Sequence, residues 1–286
     1  MPNSHSIYIR KFLYTDILLG QSLVEEAGWN QTFLDWERTF ELNPEGCFVA
    51  ELNDESVGTT TCTQFGEVGW IAMVLVKSAN RGMGIGEQLV QNAITYLECA
   101  GVSCIRLDAT QLGQGLYEKL GFKSEYEVFR FVKTGPAIHE QQTTTALGKA
   151  ANIAPLDTLL KLDYKATATE REVYFKTLEK KSIDYLFEKN GELSGFATYR
   201  VGRNAFQLGP VIATNNSAGR QLLDSVIQRF DDNMYYIDIP VPNKEAIAWA
   251  EETGLTVQRK FMRMYRGKPI MDNPQMIWAS SGPEKG

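Results

Sequence analysis

Histidine is scarce in this chain of 286 residues: only His5 and His139 occur, one near the start and one in a polar stretch. That leaves almost no room for a His-based triad or a His-rich metal site. The four cysteines (Cys47, Cys62, Cys99, Cys104) form no C-x-x-C pair. A disulfide-dense scaffold is excluded, structural zinc is disfavoured, and reduced thiols in a cytoplasmic protein are expected. No apolar run approaches membrane length, and the opening MPNSHSIYIRKF has no signal-peptide core. Positive charge is also short, with 29 Lys and Arg against 35 Asp and Glu, a net charge of −6. Neither nucleic acid nor a membrane surface is expected as partner, while cationic ligands stay open. Apolar residues, in contrast, make up 43% of the chain, enough for real cores, and the length suggests two domains.

The chain repeats itself. EKNGELSG (188–195) lies over ELNDESVG (51–58), each reading as a hairpin. AMVLV (72–76) lies over LGPVI (208–212), and each leads to a helix, GEQLVQNAI or GRQLLDSVI. Ile85, Leu89, Ala93 and Leu97 recur on one helical face, as do Leu222, Val226 and Phe230. IRLDAT matches YIDIPV, YEKLGF matches AEETGL, and both halves finish on a similar strand, VFRFVK or FMRMYR. The pattern predicts a duplicated mixed α/β (α+β) domain, each copy with a central sheet flanked by helices. The expected boundaries are 1–134 for a first domain, 135–151 for a polar linker, 152–267 for the copy and 268–286 for an irregular tail.

Between the copies one stretch differs. In NRGMGIG (80–86) Arg81 precedes Gly82, Gly84 and Gly86, directly after a strand and at the head of a helix. Bare backbone N–H groups at a helix N-terminus favour a phosphate, and an arginine can fork onto its oxygens. A P-loop would end in Gly-Lys-Ser/Thr, but Glu87 and Gln88 follow Gly86. The dinucleotide fingerprint needs a different glycine spacing. No side chain stands ready for magnesium, so the bound diphosphate is expected without metal.

The run VLVKSANRGMGIG resembles the cofactor loop of the GNAT acetyltransferases, whose pattern is Arg/Gln-x-x-Gly-x-Gly/Ala. The resemblance continues through LDATQLGQGLYEKLGF and covers the first half in element order. The second half is similar, more loosely, to the divergent C-terminal domain of tandem members. The resemblance implies acetyl-coenzyme A as co-substrate, with its pyrophosphate on Met83, Gly84, Ile85 and Gly86 beside Arg81 and Gly82. Its pantetheine arm would run along Val74 and Val76 where two parallel strands splay, with Met73 and Val74 lining the thioester. It also implies Tyr117 as general acid to the leaving thiolate, and direct attack by an amine in a ternary complex. The copy lacks the arginine and two of the three glycines, carries Pro210 in its strand, and has Ala250 where Tyr117 would fall. One cofactor site per chain is the expectation.

The base that deprotonates the amine has no clear bearer: Glu26, Asp35 and Glu67 are candidates, and Asp108 reads as structural. Cys99 and Cys104 read as packing residues rather than nucleophiles. The acceptor region of the family falls on residues 25–46, which hold six acids against Arg38, with Trp29 and Trp36 among them. Acid plus aromatic suits an ammonium, and Trp29 and Asn30 are the expected acceptor-site residues. The expected activity is N-acetylation of a small primary amine. A non-catalytic acyl-CoA sensor and a protein N-acetyltransferase are the alternatives. The second half is expected to close the acceptor cleft, set specificity or form a homodimer face.

Overall fold

The structure, a computed structural model, describes residues 6–135, 154–178, 183–187, 191–230 and 233–286. Nearly all of the expected linker, including His139, lies outside the described residues, as do residues 188–190 of the second expected hairpin.

The first half runs β1 (Ile7–Lys11), α1 (Ile17–Glu26), α2 (Phe33–Leu42), β2 (Cys47–Leu52), β3 (Glu55–Phe65), β4 (Val68–Val76), α3 (Ile85–Cys99), β5 (Cys104–Thr110), α4 (Gln114–Lys119) and β6 (Lys123–Lys133). The second runs α5 (Leu156–Thr167), α6 (Glu172–Thr177), β7 (Ile183–Phe187), β8 (Leu193–Arg200), β9 (Phe206–Ala213), α7 (Asn216–Ile227), β10 (Tyr235–Pro240), α8 (Lys244–Glu252), β11 (Thr256–Gly267) and β12 (Ile277–Ala279). Local chemistry accounts for many of these boundaries. Asn53 and Asp54 both take positive φ, as a two-residue hairpin turn between β2 and β3 requires. Thr32 and Asp35 cap α2 reciprocally. On α3 the predicted stripe of Ile85, Leu89, Ala93 and Leu97 is buried.

The duplicated mixed α/β pattern is present, and the two copies share one sheet. Strand order is β1-β2-β3-β4-β5-β11-β6-β10-β9-β8-β7, with β12 on β9. The final strands are exchanged. β11, from the second half, lies antiparallel between β5 and β6, while β6 pairs with β10 of the second half. Matching residues fasten this exchange from both sides. Asp108 on β5 takes a bidentate bond from Arg263 on β11, with both distances 2.9 Å. Asp238 on β10 takes the same from Arg130 on β6, with both distances 2.7 Å. All four residues are buried or nearly so, where leaving one member unpaired costs about 3–5 kcal/mol. Pairing each half's last strand within its own half would separate these partners.

The helices α1, α2, α5 and α6 share one core with the sheet, in which Trp36, Trp70, Leu159 and Phe175 pack together across the halves. The opposite face is covered by α3 in one half and by α7 and α8 in the other. The tail is not irregular throughout. Its β12 carries Trp278, which is fully buried, and Ser280, Ser281, Glu284 and Lys285 are buried beyond it.

Candidate active site

The slot begins where two parallel strands part. β4 and β5 are paired only through Val68–Trp70 and Cys104–Arg106. Opposite Thr60 the register of β4 shifts against β3, and Met73 takes φ +50°, held by a bond from Thr59 Oγ1 to its carbonyl (3.0 Å). Such a bulge bends its strand, and the edge beyond it, with Val74 and Val76, faces open space. At the end of that edge stands the N-terminus of α3, whose first N–H groups have no partner inside the helix. Gly82 and Gly84 have φ +78° and +82°, and a Cβ on either would meet nothing within 4 Å. The sequence therefore keeps these glycines for backbone conformation and open approach, and packing does not require them.

A chamber of about 1420 Å³ runs from this helix terminus, through the splay, to the seam between the halves. Val74, Val76, Arg81, Gly84 and Gly86 line one end, and Tyr117 and Met73 stand along it. Arg81 donates from Nε to the Val76 carbonyl (3.0 Å) and its far end lies 3.8 Å from Glu26. Met83 is partly exposed and does not line the chamber. Tyr117 is half-buried on α4, edge-on to Phe122 with ring centres 5.9 Å apart. Burial alone pushes its hydroxyl up to about 12, so it stays a neutral donor.

Trp29 and Asn30 separate. Trp29 lines the chamber, but Asn30 does not. It is 1% exposed, and its side chain is consumed by the second half, accepting from the N–H groups of Asn204 (2.9 Å) and Ala205 (3.0 Å) and donating to the Ala205 carbonyl (3.0 Å). Asn30 thus ties the halves together. The acidic helices also read differently in three dimensions. Asp35 is buried against Arg200 (2.7 Å), Glu37 accepts from Tyr14 and Glu45 pairs with Lys11. Trp36 is core, stacked on Phe12. Of the six acids only Glu26 lines the chamber, where the Ser78 side chain and then its backbone N–H hold the carboxyl below the usual range. Glu67 lies off the chamber beside Ser103. Cys104 is buried, its thiol pushed up to about 11 by desolvation, which suits packing better than attack.

The corresponding slot of the second half is filled. β9 and β10 again pair over three residues, Phe206–Leu208 with Tyr235–Ile237, and then part. Here β12 lies against Val211 and Ile212 of β9, and Ser280 N–H bonds to the Asp238 carbonyl of β10 (2.8 Å). Trp278 packs on Gly219 near the start of α7, so tightly that a Cβ on Gly219 would run into its ring. The chain's own tail thus occupies the place that is open in the first half.

A family model of the acetyltransferase (GNAT) family matches residues 12–122, and a second, of the acetyltransferase (GNAT) domain, matches residues 159–279. Together they take in most of the chain, one match on each copy. The chain belongs to the GNAT acetyltransferases. It is similar to the holothin acyltransferase of a Pseudoalteromonas species, 25% identical over 90% of this chain and 87% of that one. The N-alpha-acetyltransferase 30 of Xenopus laevis is 33% identical over 100 residues, 32% of this chain and 37% of that protein. In fold it resembles a solved protein of Pyrococcus horikoshii described as an acetyltransferase (TM-score 0.81, 23% identity, 100% of this chain and 99% of that one). It also resembles a GCN5-related N-acetyltransferase of Sphaerobacter thermophilus (TM-score 0.65, 13% identity, 94% and 98%).

GNAT enzymes are acyltransferases that use acetyl-CoA, and the slot fits that group: free helix N–H donors, glycines facing open space, and a strand edge without a neighbour. Among the described residues no cluster of three or more His, Cys, Asp or Glu could hold a metal ion, and no helix is long and apolar enough to cross a membrane. Local sequence patterns missed the far wall of this GNAT chamber. It is built by β11 residues 257–262 and by Pro283 and Glu284 of the tail. The Trp70 indole donates to the Pro283 carbonyl (2.9 Å), anchoring the tail to the strand that leads into the bulge. The one local signal was the matching Asp and Arg in both copies, which becomes legible only once the strands are exchanged.

Proposed function

We propose that this GNAT enzyme transfers acetyl from acetyl-CoA to the primary amine of a small molecule, by direct attack in a ternary complex. The observation that carries the reading is a continuous chamber, which opens on the α3 terminus at one end and on the seam between the halves at the other. Arg81, Gly82, Met83, Gly84, Ile85 and Gly86 would hold the pyrophosphate, through backbone donors and one guanidinium. The free edge at Val74 and Val76 would hold the pantetheine arm, with Met73 beside it. Bound there, acetyl-CoA supplies an activated thioester carbonyl. The Val74 N–H would polarise that carbonyl, and catalysis would come largely from positioning. Tyr117, kept protonated by its burial, would donate a hydrogen bond to the leaving sulfur. The filled second slot supports one cofactor site per chain.

A small acceptor is favoured by the relative that aligns along nearly the whole chain, which is named for holothin. The match to N-alpha-acetyltransferase 30 favours a second reading, acetylation of a protein N-terminus. Free-thiol release from acetyl-CoA, followed with a panel of small amines and of peptides with free N-termini, separates the two. Turnover of small amines is expected. Turnover of peptides alone would transfer the enzyme to the second reading, and no binding of acetyl-CoA by calorimetry would remove both.

A further inference from the structure

Two neighbouring cations of β11 line the chamber wall without an ion pair among the described residues: Lys260 lies over the Phe129 ring (4.5 Å), and Arg259, on the other face of the strand, has no such cover. β11 shifts register against β6 between Val257 and Arg259, leaving Gln258 as the extra residue. Past the shift Arg259 stands opposite Arg130 of β6, and Arg130 stands opposite Asp238 of β10. Residues directly opposite share a face, so two arginines and one aspartate form a row across three strands. The aspartate is already engaged: Arg130 holds both its oxygens at 2.7 Å, and Gln207 Nε2 lies 3.3 Å from one of them. Arg259 forms no ion pair with any carboxylate among the described residues. It is half-buried and lines the chamber.

Other carboxylates on the wall do not compensate. Asp108 is held by Arg263, and Glu284 by Arg200 (2.9 Å). Glu127 sits an odd number of residues from Arg130 along an uninterrupted stretch of β6, so its side chain leaves by the other face. Glu26, and Glu87 in the first turn of α3, are at the cofactor end. Desolvation, and then the neighbouring Arg130, pull the Arg259 pKa down, as befits a cation with no partner. A half-buried guanidinium without a partner costs stability, and a planar fork of donors matches a carboxylate.

We propose that Arg259 is a specificity-determining residue that binds a carboxylate on the acceptor, so that the substrate is an amine also carrying a carboxylate, as an amino acid does. The proposal rests on the acyl-transfer reading above and narrows its acceptor. It also reverses the expectation drawn from the acidic helices: apart from Glu26 those acids are off the chamber, while the seam presents a spare cation.

The full-length protein is assayed with matched acceptors that differ by one carboxylate: γ-aminobutyrate against propylamine, lysine against cadaverine, tyrosine against tyramine, with phosphoethanolamine as a phosphate control. The carboxylate member of a pair should be favoured at least tenfold in kcat/KM. Arg259→Gln should erase that preference through KM, and Arg259→Lys should keep part of it, with acetyl-CoA affinity unchanged by calorimetry. Equal or better turnover of the decarboxylated amines, a preference for phosphoethanolamine alone, or a preference that survives Arg259→Gln would overturn the proposal. Binding of products gives a reading independent of turnover. N-acetyl amino acids should raise the melting temperature of the wild type more than the matching N-alkylacetamides, and should not raise that of Arg259→Gln. No stabilisation by any carboxylate overturns the proposal, whereas failure to bind acetyl-CoA strikes the transfer reading.

Discussion

Gly86→Ala separates a ligand role for the glycine loop from a packing role by the sign of two effects. Gly86 is the second residue of α3 and has no positive φ, unlike Gly82 and Gly84. A methyl built there would come no nearer than 3.9 Å to Leu116 Cδ2 and 4.0 Å to Val76 Cγ2, which is ordinary contact. Alanine restricts the unfolded chain and suits a helix better than glycine, so the free protein should gain about 0.5–1 kcal/mol. In a chain of this size that raises Tm by about 1–3 °C.

The same methyl lines the chamber, on the backbone that would meet the pyrophosphate. Affinity for CoA should fall at least tenfold, about 1.4 kcal/mol. Gly84→Ala is the control: at φ +82° a side chain costs about 1–2 kcal/mol, so that variant loses stability as well as affinity. Thermal denaturation without ligand and calorimetry with CoA read the two effects separately. A Gly86→Ala protein that is less stable, yet binds CoA as well as the wild type, would refute the reasoning.

Tyr117→Phe should lower kcat by about 100-fold with CoA affinity unchanged. Because burial holds the phenol at about 12, an alkaline fall in rate below about pH 11 should be the same in both proteins. Trp278→Ala leaves a cavity beside Gly219 at the start of α7 and should cost about 3–5 kcal/mol by chemical denaturation, while acyl transfer at low temperature persists. Glu284 should make stability depend on acid. Burial raises its pKa, but Arg200 and Lys285 overcome this and hold it at about 2, below its ordinary 4.5. Its contribution, roughly 3 kcal/mol, is therefore present above pH 4.5 and lost as pH falls toward 2. In a denaturation series from pH 6 to 3 the gap between wild type and Glu284→Gln should narrow by about 2 kcal/mol toward the acid end, and parallel curves would refute this.

Signals carried by neighbouring residues were legible in the sequence. The apolar stripe of α3 and the glycine turn depend on spacing within about a dozen residues, the repeat on short segments that match between the halves, and each is present in the fold. The strand exchange was not legible, because VFRFVK and FMRMYR carry the same pattern and either could complete either copy; register against a distant partner decides. Asn30 misled for a related reason. A polar residue beside a tryptophan in a loop reads as a ligand contact, and only the second half's 203–205 loop shows that its hydrogen bonds are already spent. The acids of α1 and α2 were counted correctly, but composition does not reveal which side of a helix faces a chamber. The tail, flanked by prolines, gives no periodicity in its three-residue strand.

The exchange changes what the second copy contributes. Ending the chain near Thr134 would remove β11, expose the edge of β5, leave Asp108 without Arg263, and take away the wall that holds Arg259. The ion pairs and the shared core with Trp36, Trp70 and Phe175 make the copies one folding unit at the sheet. Within that unit the slots have diverged by a simple route. One kept bare glycines and an open strand edge, and the other closed its edge with a strand from the same chain and its helix terminus with Trp278. The strand that fills the second slot then continues to Pro283 and Glu284 in the first chamber. Sealing one site and completing the other are therefore done by a single stretch of tail. Substitutions that loosen β12 should consequently register at the acceptor end of the chamber before they register at the glycine loop.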